Sequence, residues 1–210
     1  MAVTLSAIAP EVRWIIKDAP LPLIEALLRL AAIDFCRRSN FWQHALTPVA
    51  VTAASFPYTI PAPAGSAVAR VLSVAFSGGK PLDPSDIATE EAENESWLTD
   101  KGVPVRFVER PGGILNVVPL PVESSDLKIT VSLEPSQAAV DLPDLLCAKY
   151  REELKAGAVS RLCVLPGQRW TSGETAMFYG GIFETAIHDA SLDFLFHRKL
   201  QTLETKPSDL

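Results

Sequence analysis

Of 210 residues only three are cysteine and three histidine, and basic groups are outnumbered, 19 Lys and Arg against 25 Asp and Glu. Each scarcity removes a class of protein. Cys36, Cys147 and Cys163 are odd in number and far apart, with no Cys-x-x-Cys and no neighbouring histidine pair. That excludes a disulfide framework and a zinc site, and three buried thiols are expected instead. His188 and His197 lie nine residues apart on one predicted helix, a rotation of about 900°, so they face opposite sides and share no metal. His44 stands alone after Phe41-Trp42. A net charge of −6 leaves no basic footprint for gripping nucleic acid. Long apolar runs are missing too: the longest uncharged stretch, Ser39 to Ala69, is broken by Asn40, Gln43, His44 and four prolines, so no membrane span is expected. The N-terminus lacks the basic-then-apolar pattern of a secretion signal. No GxSxG, GxGxxG or HExxH spacing occurs, and Ser77-Gly-Gly-Lys80 reads as a turn. No cofactor, metal or catalytic residue is assigned.

What is present is an ordinary globular balance, 48% apolar and 21% charged, with proline dividing the chain. Twelve of the 17 prolines fall between Pro48 and Pro143, with helical periodicity on either side. Leu21 to Arg38 places Leu23, Leu27, Leu30, Ala31 and Phe35 on one stripe, with Pro22 in the first turn and Asn40 past the end. From Asp141-Leu-Pro-Asp144 a second helix carries Leu145, Leu146, Tyr150, Leu154, Val159, Leu162 and Leu165 on its apolar face. Pro166-Gly167 stops it. Thr171-Ser-Gly-Glu174 matches a capping box, and a long helix follows to about Arg198 on the stripe Tyr179, Phe183, Ala186, Ile187, Ala190 and Phe194.

The middle reads as β. Leu127 to Leu133 alternates without error, Val68 to Phe76 is extended, and Arg110-Pro-Gly-Gly113 between two short apolar runs signals a hairpin. Pro57 restricts a further strand over Phe56 to Ile60 to an edge or a bulge. Pro84 to Leu98 is polar and acidic, a loop or short exposed helix. Its cluster Glu90-Glu-Ala-Glu-Asn-Glu95 lacks the ligand order of a calcium loop and reads as a solvated face. The fold class is therefore α+β: a helical platform, residues 1–47 and 141–210, with an inserted antiparallel β segment, 48–140, in one domain.

Leu142 to Trp170, with its Leu-Pro, Tyr150-containing helix, Gly157-Ala158, Arg161-Leu162, Pro166-Gly167 and Trp170, resembles the head-to-tail adaptor (connector) proteins of tailed bacteriophages. Ala32 to Trp42 looks like that family's first helix end, and Ala176 to Ile187 like its last helix. The resemblance implies a non-enzymatic virion protein at the capsid–tail junction, assembled in the host cytoplasm. Its partners would be the portal protein, a downstream tail or neck protein, and further copies of itself in a ring, usually twelve, through which DNA passes without specific binding. Beside it stand a bacterial protein with a phage-derived scaffold and two further rivals. One is another neck or tail protein, such as a terminator or tube component, which would be β-dominated. The other is a small enzyme or ligand-binding module using Cys36 or Cys163.

The resemblance also implies that the C-terminal segment docks on the portal; the candidates are Phe196, His197, Arg198, Lys199, Leu200, Leu203 and Leu210. A ring is a heterologous contact, so subunit-interface candidates are Trp97, Arg161, Trp170 and Phe178, with Trp14 and Phe196 as further aromatic anchors. Arg161, in a mainly apolar helix, has two readings: a pair inside the helical layer or one across subunits. The charge is local. Residues 1–47 carry five positive and four negative groups, 144–210 eight and nine, and 48–143 six and twelve, so the whole −6 sits in the β segment. Seven of its acids, Asp83, Asp86, Glu90, Glu91, Glu93, Glu95 and Asp100, form a stretch expected to face a DNA channel or solvent and to repel the duplex.

Overall fold

The computed structural model describes the backbone of residues 2–202 and side chains as far as residue 196. In chain order its elements begin with β1 (Ala2–Thr4), α1 (Leu5–Ile15), α2 (Leu21–Ser39), β2 (Gln43–Ala45), β3 (Val49–Val51), β4 (Tyr58–Thr59), β5 (Ser66–Phe76), β6 (Asp83–Ser85) and α3 (Ile87–Glu93). Then come β7 (Lys101–Gly102), β8 (Arg106–Arg110), β9 (Ile114–Val118), β10 (Leu120–Pro121), β11 (Ser125–Pro135), β12 (Asp141–Pro143), α4 (Asp144–Cys163) and α5 (Gly173–Thr202). The chain forms two compact units, 1–42 with 134–210, and 43–133. These limits fall earlier than those read from proline density. β2 starts pairing with β11 directly after α2, and Glu134 already belongs with the helices, where Arg37 holds it bidentately at 2.6 and 2.7 Å.

The helical unit is built on four helices. α1 escapes a reading that stops at Pro10, yet Leu5, Ile8, Ala9 and Val12 are buried at helical spacing while Pro10 points outward. Its single missing backbone donor is tolerated because packing, not propensity, holds so short a helix. β1 pairs antiparallel with β12, tying the N-terminus to the start of α4. The buried stripe of α2 is Ile24, Leu28, Ala31, Ala32, Phe35 and Cys36. Leu23 and Leu27 are only partly covered and Leu30 is exposed, so the stripe is rotated from the predicted one. Asn40 ends the helix in the left-handed region, φ 53°, which a short polar side chain tolerates.

α4 does not use Asp141 as its cap. That residue lies in β12, and Pro143 occupies the cap position without a side-chain bond. A break at Tyr150 (φ −129°) interrupts the helix, and Leu145, expected inside, is exposed. The cap of α5 is shifted by one residue: the Ser172 hydroxyl accepts from the Thr175 amide at 3.3 Å, so the box with Glu174 does not form. α1 and α5 each pack on α2 and α4. Phe35, Phe41, Tyr150 and Phe183 form the aromatic centre, with ring centroids 4.6 to 6.3 Å apart.

In the β unit, β11 is the spine of one sheet, ordered β2-β11-β3 with β5 also on β11. The other sheet runs β4-β9-β8-β6. The β8–β9 hairpin forms as predicted, Arg110 opposite Ile114, with Gly112 and Gly113 at φ 85° and 72°. β4 sits at its sheet's edge, where Pro57 allows it. Two short pairings, β6 with β8 and β7 with β10, are parallel. Ser132, expected outward, is fully buried with Leu127, Ile129, Val131 and Leu133.

Candidate functional site

No cluster of metal-ligating side chains exists among the described residues, and no described helix is long and apolar enough to cross a membrane. The three thiols are free and buried. Desolvation pushes all three upward in pKa, Cys36 most of all, where the charge of Glu134 adds to the effect. A reactive cysteine needs the opposite environment, electropositive and accessible.

The acidic stretch is less uniform than its sequence. Asp83, Asp86, Glu91, Glu93, Glu95 and Asp100 are exposed. Glu90 is not: it is 1% exposed and therefore faces neither channel nor solvent. α3 turns it inward, and the Arg106 guanidinium lies 3.2 Å from its Oε1 without the alignment of a hydrogen bond, while also holding Glu93 at 2.7 Å. Asp86 caps α3 through the Thr89 amide, and Asp100 accepts from Asn94. Part of the acidity is thus spent on local structure.

Trp97, a candidate interface anchor, belongs to its own unit. It is 2% exposed, packed on Val108 and Val118, with the Arg110 guanidinium 5.5 Å over its ring. Isolated in a polar stretch, its burial depends on strands that follow it in sequence. Arg161 takes the first of its two readings: it bonds Asp34 at 2.8 Å and the Gly157 carbonyl at 3.0 Å, 5.0 Å above the Phe183 ring. Trp170 is partly buried against the helical core, its indole N–H without a hydrogen-bond partner. Of the four candidates only Phe178 is truly open, 64% exposed.

Phe178 has company. Phe196 of α5 and Trp14 of α1, both expected as anchors, are exposed, and so are Met177, Ile182, Leu192 and Leu195 of α5 and Ile15 of α1, which sequence reading passed over. The signal available for α5 was a second apolar row beside the buried one. For α1 the helix itself had to be recognised before Trp14 could be placed on a face. Of the proposed docking segment, Phe196 is exposed at 62%. The backbone of His197, Arg198, Lys199 and Leu200 continues α5, but their side chains lie outside the described residues, as do Leu203 and Leu210 entirely.

The β unit adds a cavity of about 660 Å³, lined by Phe76, Leu82, Val103, Val105 and Val122 with Lys80, Asp83 and Glu123 among them. Its apolar lining and size suit a partner's inserted side chains as well as a small ligand.

A model of the SU10 adaptor protein family matches residues 3–200. No curated protein matches the chain. Because the family match runs through both units, from β1 to the described end of α5, the chain belongs to the SU10 adaptor family, phage head-to-tail adaptors that serve as structural components of the virion.

Proposed function

We propose that this adaptor assembles as a closed ring of about twelve copies between portal and tail, with genomic DNA passing through its centre unbound. The observation that carries the reading is the pair of uncovered apolar faces on the helical unit: Trp14 on α1, 76% exposed, and Phe178 with Phe196 on α5. A single-copy protein leaves few such aromatics bare, and the anchors of protein interfaces are drawn from these residue types. A ring needs two different faces on each copy, and these lie on different helices. The exposed carboxylates of the acidic stretch would repel a duplex, whether they line the passage or face solvent.

Portal attachment is assigned to the segment from Phe196 to Leu210. Deleting residues 200–210 is expected to abolish co-sedimentation with purified portal rings while leaving the far-ultraviolet circular dichroism of the helical unit nearly unchanged. Undiminished binding by the shortened chain would place docking elsewhere, with the β-unit cavity as the next candidate.

A further inference from the structure

α5 carries a second row on its outer side, four of its six residues apolar. Phe178, Ile182, Thr185, Asp189, Leu192 and Phe196 follow one another at alternating steps of four and three, the spacing of a seam that meets another helix. All six are open or largely open to solvent. A helix that is apolar on both sides is covered on both sides in its working state.

Beside this row lies a groove of about 470 Å³ between α4 and α5, lined by Tyr150, Glu153, Gly181, Ile182, Thr185 and Asp189. Two details give it character. Glu153 and Asp189 have no cation among the described residues, so the groove is apolar with two uncompensated carboxylates. Gly181 has nothing within 4 Å of where a Cβ would stand, so the chain's own packing does not require glycine there. A mid-helix glycine costs helix stability for no internal return, and the lack of a side chain keeps the groove floor open.

The complementary shape is on α1. Trp14 stands out at 76% exposed, with Arg13 on one side and Lys17 just past the helix end, both exposed and neither paired with a carboxylate among the described residues. Asp18 follows, leaving this corner net positive. We infer that the α1 corner of one copy seats in the α4–α5 groove of the next. The Trp14 indole covers Gly181, and Arg13 and Lys17 meet Glu153 and Asp189. The two surfaces differ, so the contact is heterologous and propagates head to tail until it closes. It rests on the ring reading above and supplies that ring's subunit interface.

The test uses the full-length protein with purified portal rings and measures assembly by mass photometry. Trp14→Ala and Gly181→Leu are each expected to weaken ring formation on the order of 30-fold or more, the scale of an interface hot spot. Gly181→Leu should not lower the melting temperature of the free chain, since the new side chain enters open space. A mixture of the two variants should stop at pairs, because one intact groove and one intact α1 corner remain. Both variants assembling like the native chain would overturn this contact and leave the ring standing. A native chain that never assembles, even with portal rings, would overturn the ring reading and this contact with it.

Discussion

Gly157→Val is expected to lower the melting temperature of the helical unit on the order of 10 °C. A Cβ at residue 157 would stand 2.7 Å from Cδ2, 2.8 Å from Cε2 and 3.0 Å from Cγ of Phe183, closer than carbon atoms approach. Phe183 cannot step aside: it is 3% exposed, its centroid 6.3 Å from that of Phe35, and the Arg161 guanidinium lies 5.0 Å above it. Relief requires α4 and α5 to separate. Overpacking of this kind costs about 1–3 kcal/mol for one or two added carbons, and valine adds three with little rotamer freedom. At about 2–4 °C per kcal/mol for a chain of this size, the loss is large. Gly181→Ala is the contrast: a Cβ there has no neighbour within 4 Å, and a better helix former should raise the melting temperature slightly. Thermal unfolding followed at 222 nm checks both, and a Gly157→Val protein that melts like the native one would mean that the two helices do not meet this closely.

Glu11→Gln should cost about 2–3 kcal/mol at pH 7 and far less in acid. Glu11 meets two cations of α4: Arg151 bonds both its carboxylate oxygens, and Lys155 donates to Oε2 at 2.9 Å. The bond from Arg151 does most to hold the carboxyl down, from its ordinary 4.5 to about 2. A depression of that size corresponds to about 3 kcal/mol of preference for the charged form. The side chain is 21% exposed and that of Lys155 only 11%, so solvent screens the site weakly. A lowered folded-state pKa stabilises above the unfolded value and is lost as pH falls through the folded one. The contribution is therefore complete above about pH 5, roughly halved by pH 3 and nearly gone at pH 2. Urea midpoints of native and Glu11→Gln proteins should converge over that range. A gap that stays constant from pH 7 to pH 2.5 would contradict the assignment.

The parts of this protein legible in sequence are those whose signal is local and periodic. α2 begins at Leu21 and ends beside Asn40, β11 contains the alternating run from Leu127, and the glycine pair at 112 and 113 makes the hairpin. The parts that were not legible depend on distant partners. Trp97 and Glu90 lie in a stretch that is otherwise polar, and only β8 and β9, arriving later in the chain, turn them inward. Periodicity places the stripe of α2 within about a residue, but whether Leu30 or Ile24 faces the core is settled by the helices packed on it, α1, α4 and α5. The cap of α5 shows the same limit at smaller scale, since Ser172 rather than Thr171 holds the first turn and the two are equivalent in local pattern.

The association surfaces fall between these cases. Phe178 and Phe196 are recognisable from sequence as aromatics off the buried stripe, whereas the groove depends on Tyr150 and Glu153 of a different helix. Arg161 shows the converse. An arginine in an apolar helix leaves an internal pair and a contact across subunits equally open, and Asp34, 127 residues away in sequence, supplies the internal one. The proposed ring would give the exposed faces a purpose that the fold by itself does not supply.

Ring formation by this adaptor is tested most directly by its mass, alone and on the portal. Full-length protein mixed with purified portal rings should give a single particle whose added mass is an integral multiple of 22.7 kDa, with symmetry set by a closed heterologous contact. Protein that remains a 22.7 kDa monomer in the presence of excess portal rings would contradict the account.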